Sequence, residues 1–105
     1  MDERAIGLLE VYGLVSALMA ADAGCKAANV TLEPFDKNKP ANAETLTVPL
    51  LVTVKFRGSV EDVTAAVEAG IKMAESMSGV VQSHVIPRPT QDTLKMMKIC
   101  AFDVD

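Results

Sequence analysis

The chain has 105 residues, half of them apolar, with 14 Asp and Glu against 10 Lys and Arg and a formal net charge of -4. A chain of this length holds one hydrophobic core, and a mean hydropathy of +0.24 excludes the disordered class. The basic residues are scattered and the aromatics (Tyr12, Phe35, Phe56, Phe102) are dispersed, which excludes a nucleic-acid surface built on phosphate neutralisation or base stacking.

No apolar run approaches the roughly 18 to 20 residues that a membrane helix requires, and the mixed-charge start Met1-Asp2-Glu3-Arg4 does not read as an export signal. Two cysteines, Cys25 and Cys100, make neither a disulfide framework nor a zinc site, and a reducing cytoplasm is the simplest reading.

Ala5 to Val11 is nearly continuous apolar sequence and reads as a strand, broken by Gly13. From there Leu14, Leu18, Ala21, Cys25 and Ala28 recur at helical spacing and predict the buried stripe of a first helix, with Asp22 and Lys26 as an exposed i,i+4 pair. Asn29 ends it. Val30 to Phe35 alternates as a second strand, with Pro34 marking an edge or a bulge.

Leu50 to Arg57 is the clearest strand: Val52, Val54 and Phe56 share one face, while Thr53, Lys55 and Arg57 share the other. Ser59 is the expected N-cap of a second helix, whose apolar stripe is Val60, Val63, Val67, Ile71 and Ala74 and which Gly79 closes. Val80 to Ile86 is the fourth strand. After Pro87-Arg88-Pro89, Thr90 to Cys100 reads as a short Met-rich helix.

This order predicts an α+β, ferredoxin-like β-α-β-β-α-β sandwich with a short C-terminal helix. Two helices would cover one face of a four-stranded antiparallel sheet and leave the other open, a surface suited to subunit packing. Lys37 to Pro49 is thirteen residues long, against about four to six for most connections in compact domains. Thr45 to Val48 could extend the third strand as a hairpin arm.

Catalytic signatures are missing: there is no GxGxxG, Walker or GxSxG sequence, and one histidine, His84, lies on a strand. Cys25 reads as a small core residue and Cys100 as an exposed one with nothing to activate it. Glu61 and Asp62 are explained by a helix N-terminus, and the methionines by packing. No catalytic or metal-binding residue is assigned.

Ala5-Ile6-Gly7-Leu8-Leu9-Glu10 with Gly13-Leu14-Val15, Ala20-Ala21-Asp22-Ala23 with Lys26-Ala27-Ala28-Asn29-Val30, Val52-Thr53-Val54 with Arg57-Gly58, and Ala65 to Gly70 ahead of His84-Val85-Ile86-Pro87-Arg88-Pro89 form one linked set. In order and spacing the set resembles the single-domain, hexameric shell proteins of bacterial microcompartments, the BMC domain. The resemblance covers about Ala5 to Pro89 and leaves residues 90–105 as a tail of a single domain spanning 1–105.

The resemblance implies a structural protein, not an enzyme: a homo-hexamer that tiles with other shell proteins into the shell of a microcompartment in the cytoplasm. A central pore would pass small polar metabolites. It also implies that Lys26, Asn29, His84 and Arg88 belong to the hexamer edge, with Glu75 where the family often has an arginine. The pore turn would correspond to Lys37, Asn38, Lys39, Pro40, Ala41 and Asn42, in a longer loop that lacks the family's glycines. Some relatives hold an iron-sulfur cluster through a pore cysteine. Lys37 to Pro49 has none, so no cofactor is expected. From the fold alone an oligomeric small-molecule-binding regulatory domain stays open, as does an enzyme whose site is assembled between subunits.

Overall fold

The structure, a computed structural model, describes residues 5–38 and 50–100. Strand β1 (Ala5–Tyr12) leads through Gly13 into helix α1 (Leu14–Ala27), followed by β2 (Thr31–Asn38). Then come β3 (Leu51–Gly58), α2 (Val60–Glu75), β4 (Val80–Ile86) and α3 (Gln91–Met97). The strands form one antiparallel sheet in the order β2-β3-β1-β4, the topology expected of the ferredoxin-like sandwich. The proposed hairpin arm at Thr45 to Val48 lies outside the described residues.

Local chemistry explains most boundaries. Ser59 caps α2 by accepting from the Asp62 N–H at 3.1 Å, and Glu61 and Asp62 occupy the first turn, where the helix dipole favours them. Gly13 and Gly79 both have positive φ, 87° and 101°, which a side chain would resist. Pro34 falls within the register shift between Glu33 and Asp36 on the edge strand β2, as a residue without an N–H requires. The strand nevertheless continues to Asn38, three residues past its expected end.

Val52, Val54 and Phe56 of β3 and Leu9 and Val11 of β1 form the core with Val63 and Val67 of α2, all under the two long helices. The buried face of α1, however, shares only Ala21 with the stripe that apolar spacing selects. Ser16, Ala17, Ala20, Ala21 and Gly24 are buried, whereas Leu18 is 54% exposed, Leu14 is also exposed and Cys25 faces outward.

Available space is the reason. A Cβ at Gly24 would sit 2.5 Å from the Phe56 ring and 2.9 Å from the Ala66 carbonyl; at Gly70 it would sit 2.7 Å from Leu9, and at Gly7 2.8 Å from Val67. Only small residues fit between α1, α2 and the sheet, so the larger apolar side chains turn out. Val60, counted in the α2 stripe, is likewise exposed, whereas Val63, Val67 and Ala74 are buried.

The opposite sheet face is partly covered, which corrects the expectation of an open face. Helix α3 lies over the β3 side, where Lys55 is only 5% exposed, and Met97 and Cys100 are buried beneath the tail. Cys100 was expected at the surface; its thiol instead donates to the Phe35 carbonyl at 2.6 Å.

Gly24→Ala is expected to destabilise the protein by about 1–3 kcal/mol through overpacking against Phe56, although alanine improves helix propensity by up to about 1 kcal/mol. Urea unfolding checks this, and a more stable variant would contradict the packing account.

Candidate functional site

The topology sorts the candidate residues to two ends of the sheet. At one end, Lys26 lies in the last turn of α1 and Asn29 follows it, just before Thr31 pairs with Arg57. Arg88 follows Ile86, which pairs with Ile6 at this same end. The Asn29 N–H donates to Asp62 Oδ1 at 3.4 Å, which ties the α1 exit to the start of α2, and Ser59 Oγ donates to Asp62 Oδ2 at 3.0 Å.

Lys26, Asn29 and Arg88 are all exposed. Asn29 leads into β2 and Arg88 follows β4, strands on opposite edges of the sheet. Three strand spacings of about 4.8 Å separate those edges, about 14 Å in all.

Lys26 Nζ is 2.7 Å from Asp22 Oδ2, with the two side chains 76% and 59% exposed. The hydrogen bond and then the charge of Asp22 hold the Lys26 ammonium above its ordinary pKa. Burial, and then the same carboxylate, push the Cys25 thiol up. An exposed i,i+4 pair adds little stability, so Lys26 can exchange Asp22 for another acceptor at small cost.

At the other end, Asn38 pairs with Leu51, and the chain between them contains the loop. Lys37 and Asn38 are exposed at the end of β2. Lys39, Pro40, Ala41 and Asn42 lie outside the described residues. Asp36, just before them, is turned onto the sheet: Oδ1 accepts from the Lys37 N–H at 3.0 Å, and Oδ2 is 3.8 Å from Lys55 Nζ.

Glu75, exposed at the last position of α2, belongs to this second end, because the chain just beyond it returns to β1 through Ser78 Oγ, which donates to the Tyr12 carbonyl at 2.7 Å. The 16-residue helix α2, at 1.5 Å per residue, spans about 24 Å. Glu75 is therefore not brought near Lys26 and Asn29.

His84 stands between the two ends. It pairs with Leu8 and is exposed on the face opposite α1 and α2, where it lines an open depression of about 210 Å³ with Leu8, Glu10, Thr53, Gln82 and Ser83. Gln82 Nε2 donates to Glu10 Oε1 at 3.0 Å and fixes one wall. Among the described residues no three His, Cys, Asp or Glu side chains converge as metal ligands would.

Sequence reasoning missed the group around Lys55, which contacts Met97, Ile99 and Asp36. The available signals were a lysine on a strand of alternating apolar residues and apolar positions three apart in the tail, Met97 and Cys100.

The fold alone is shared by many proteins, and the sequence identifies the family. Residues 5–89 match the BMC domain, and the chain belongs to that family. It is 40% identical over 97 residues to the bacterial microcompartment shell protein PduA of Citrobacter freundii, covering 92% of this chain and 95% of that one. It is 38% identical over 101 residues to the carboxysome shell protein CcmK3 of Halothece sp. (strain PCC 7418), covering 94% and 90%. A solved microcompartments protein from Desulfitobacterium hafniense DCB superposes with a TM-score of 0.69 at 32% identity, covering 93% of this chain. The chain spans 48% of that larger one.

Asp22→Asn is expected to lower the pKa of both Lys26 and Cys25, because Asp22 raises each. More of Cys25 is then thiolate at a given mildly alkaline pH. The alkylation rate of Cys25 against pH checks this: its midpoint should move down, and an unmoved or raised midpoint would contradict the assigned electrostatics.

Proposed function

We propose that the protein is a structural, non-catalytic component of a bacterial microcompartment shell in the cytoplasm, and that the whole chain, 1–105, acts as one shell domain. The observation that carries this reading is the BMC domain match over residues 5–89, together with end-to-end similarity to a shell protein of nearly the same length. In this reading six copies close a ring, and rings meet edge to edge with one another and with other shell proteins.

Lys26, Asn29 and Arg88 serve the ring perimeter. Their exposure supports this, as does their placement at the end of the sheet away from the loop. Asn29 and Arg88 belong to opposite sheet edges, so a perimeter contact joining the two draws one from each of two chains. His84 faces the sheet depression and Glu75 the loop end, so in this reading both act away from the Lys26 cluster.

The loop after β2 surrounds the sixfold axis, and small polar metabolites pass through it. Lys37 and Asn38, the last residues of β2, lead into it, and Lys39, Pro40, Ala41 and Asn42 begin it. Because Asp36 is turned toward Lys55, selectivity falls to the residues after it. The neutral amides of Asn38 and Asn42 are the hydrogen-bonding candidates.

The exposed apolar side chains of α1, Leu14, Val15, Leu18 and Met19, supply surface for neighbouring subunits. Native mass spectrometry is expected to give a hexamer, and a stable monomer or dimer at micromolar concentration would overturn the ring. Lys26→Asp should leave the hexamer intact and abolish extended sheets in electron micrographs, since an aspartate has no proton to donate across the edge. Normal sheets, or loss of the hexamer itself, would contradict the perimeter role.

A further inference from the structure

The C-terminal segment is fastened to the sheet by a buried cation. Lys55 projects from β3 on the face away from α1 and α2 and donates from Nζ to the carbonyls of Met97 at 2.8 Å and Ile99 at 3.0 Å. The Asp36 carboxylate stands 3.8 Å away. Cys100 grips the neighbouring residue, its thiol donating to the Phe35 carbonyl at 2.6 Å. Phe35 and Asp36 belong to the irregular stretch of β2, so the tail closes on the one place where that edge strand departs from regular pairing.

We propose that residues 90–100 form a releasable strap, latched by Lys55, which opens as a unit while the four-stranded core stays folded. Three observations carry this. Met97 and Cys100 are buried, but the hydrophobic cluster under α1 and α2 contains no residue of the segment, so its release leaves that cluster intact. Helix α3 has seven residues, short of the roughly 12–15 at which an isolated helix becomes even marginal, so it depends on docking. The contact is also incomplete: Met96 and Ile99 are 66% and 58% exposed, and an opening of about 150 Å³ remains among Arg57, Gln91, Leu94, Lys95 and Lys98.

The latch chemistry suits a two-state element. Closing satisfies carbonyls at the end of α3 with an ammonium, the charge that a helix C-terminus favours, but it strips Lys55 of water; opening returns that hydration. These terms oppose one another across the two states. Lys55 pairs with Leu8, which floors the depression beside Glu10 and His84. Opening therefore bares Lys55 and Arg57 next to that depression and enlarges the exposed sheet face.

Iodoacetamide labelling, resolved by peptide mass spectrometry, tests the strap with Cys25 as the exposed reference in the same molecule. In Lys55→Met the tail carbonyls lose their donor, and Cys100 labelling relative to Cys25 should rise roughly tenfold with the circular dichroism retained. In the unmodified protein Cys100 should label through an opening whose urea dependence is much shallower than that of global unfolding. An unchanged Cys100 rate in a folded Lys55→Met, or wild-type labelling with the full urea dependence of unfolding, would overturn the proposal. If Lys55→Met does not fold, the wild-type urea dependence alone decides between the two outcomes.

Discussion

The helices can lie on the sheet only because Gly7, Gly24 and Gly70 bring backbone to where a β-carbon would collide with Val67, the Phe56 ring and Leu9. Each glycine sits at a different junction: β1 beneath α2, α1 between Phe56 and α2, and α2 against β1 and α1. The surrounding alanines, 17, 20, 21, 66 and 74, extend the same close approach along both helices. Interiors packed at this density tolerate little added volume. The consequence reaches the surface, because a helix that buries its smallest residues must turn its larger ones outward. Leu14, Val15, Leu18 and Met19 are exposed for this reason.

A second constraint acts on the opposite face of the sheet. Lys55 occupies a strand position that would otherwise be solvated, and the tail comes down on it with two carbonyls. Arg57, two residues on, is satisfied differently, by Glu33 at 3.1 Å on the neighbouring strand. Arg57 is thus tied within the sheet, whereas Lys55, 3.8 Å from Asp36, makes its two hydrogen bonds to a separate segment. Sheet pairing already fixes the first contact, whereas the second depends on a tail that is covalently connected only through Pro87-Arg88-Pro89.

Much of the fold was legible because its signals are local. Alternation on β3, the Ser59 cap and the turn glycines at 13 and 79 each act within a few residues and fell where expected, whereas β2 runs past Pro34 to Asn38. The buried face of α1 was not legible, since counting apolar residues ranks Leu18 above Ala17, Ala20 and Gly24, whereas the space between α1, α2 and the sheet admits only the small ones. The burial of Lys55 was hidden for another reason: its acceptor at Met97 is 42 residues away, and no spacing rule connects them. Of the candidate site, Lys26, Asn29 and Arg88 were readable from linked motifs, and topology places them at one end. The placement of Glu75 at the other end follows from the direction and length of α2, which motif matching does not convey.

The shell assignment is tested most directly by electron cryomicroscopy of the assembled protein. The account predicts closed sixfold rings in edge contact, with residues 39–49 beside the axis and Lys26 at the perimeter. A ring of another order, or a sixfold ring with Lys26 at the axis and the loop at the rim, would contradict it.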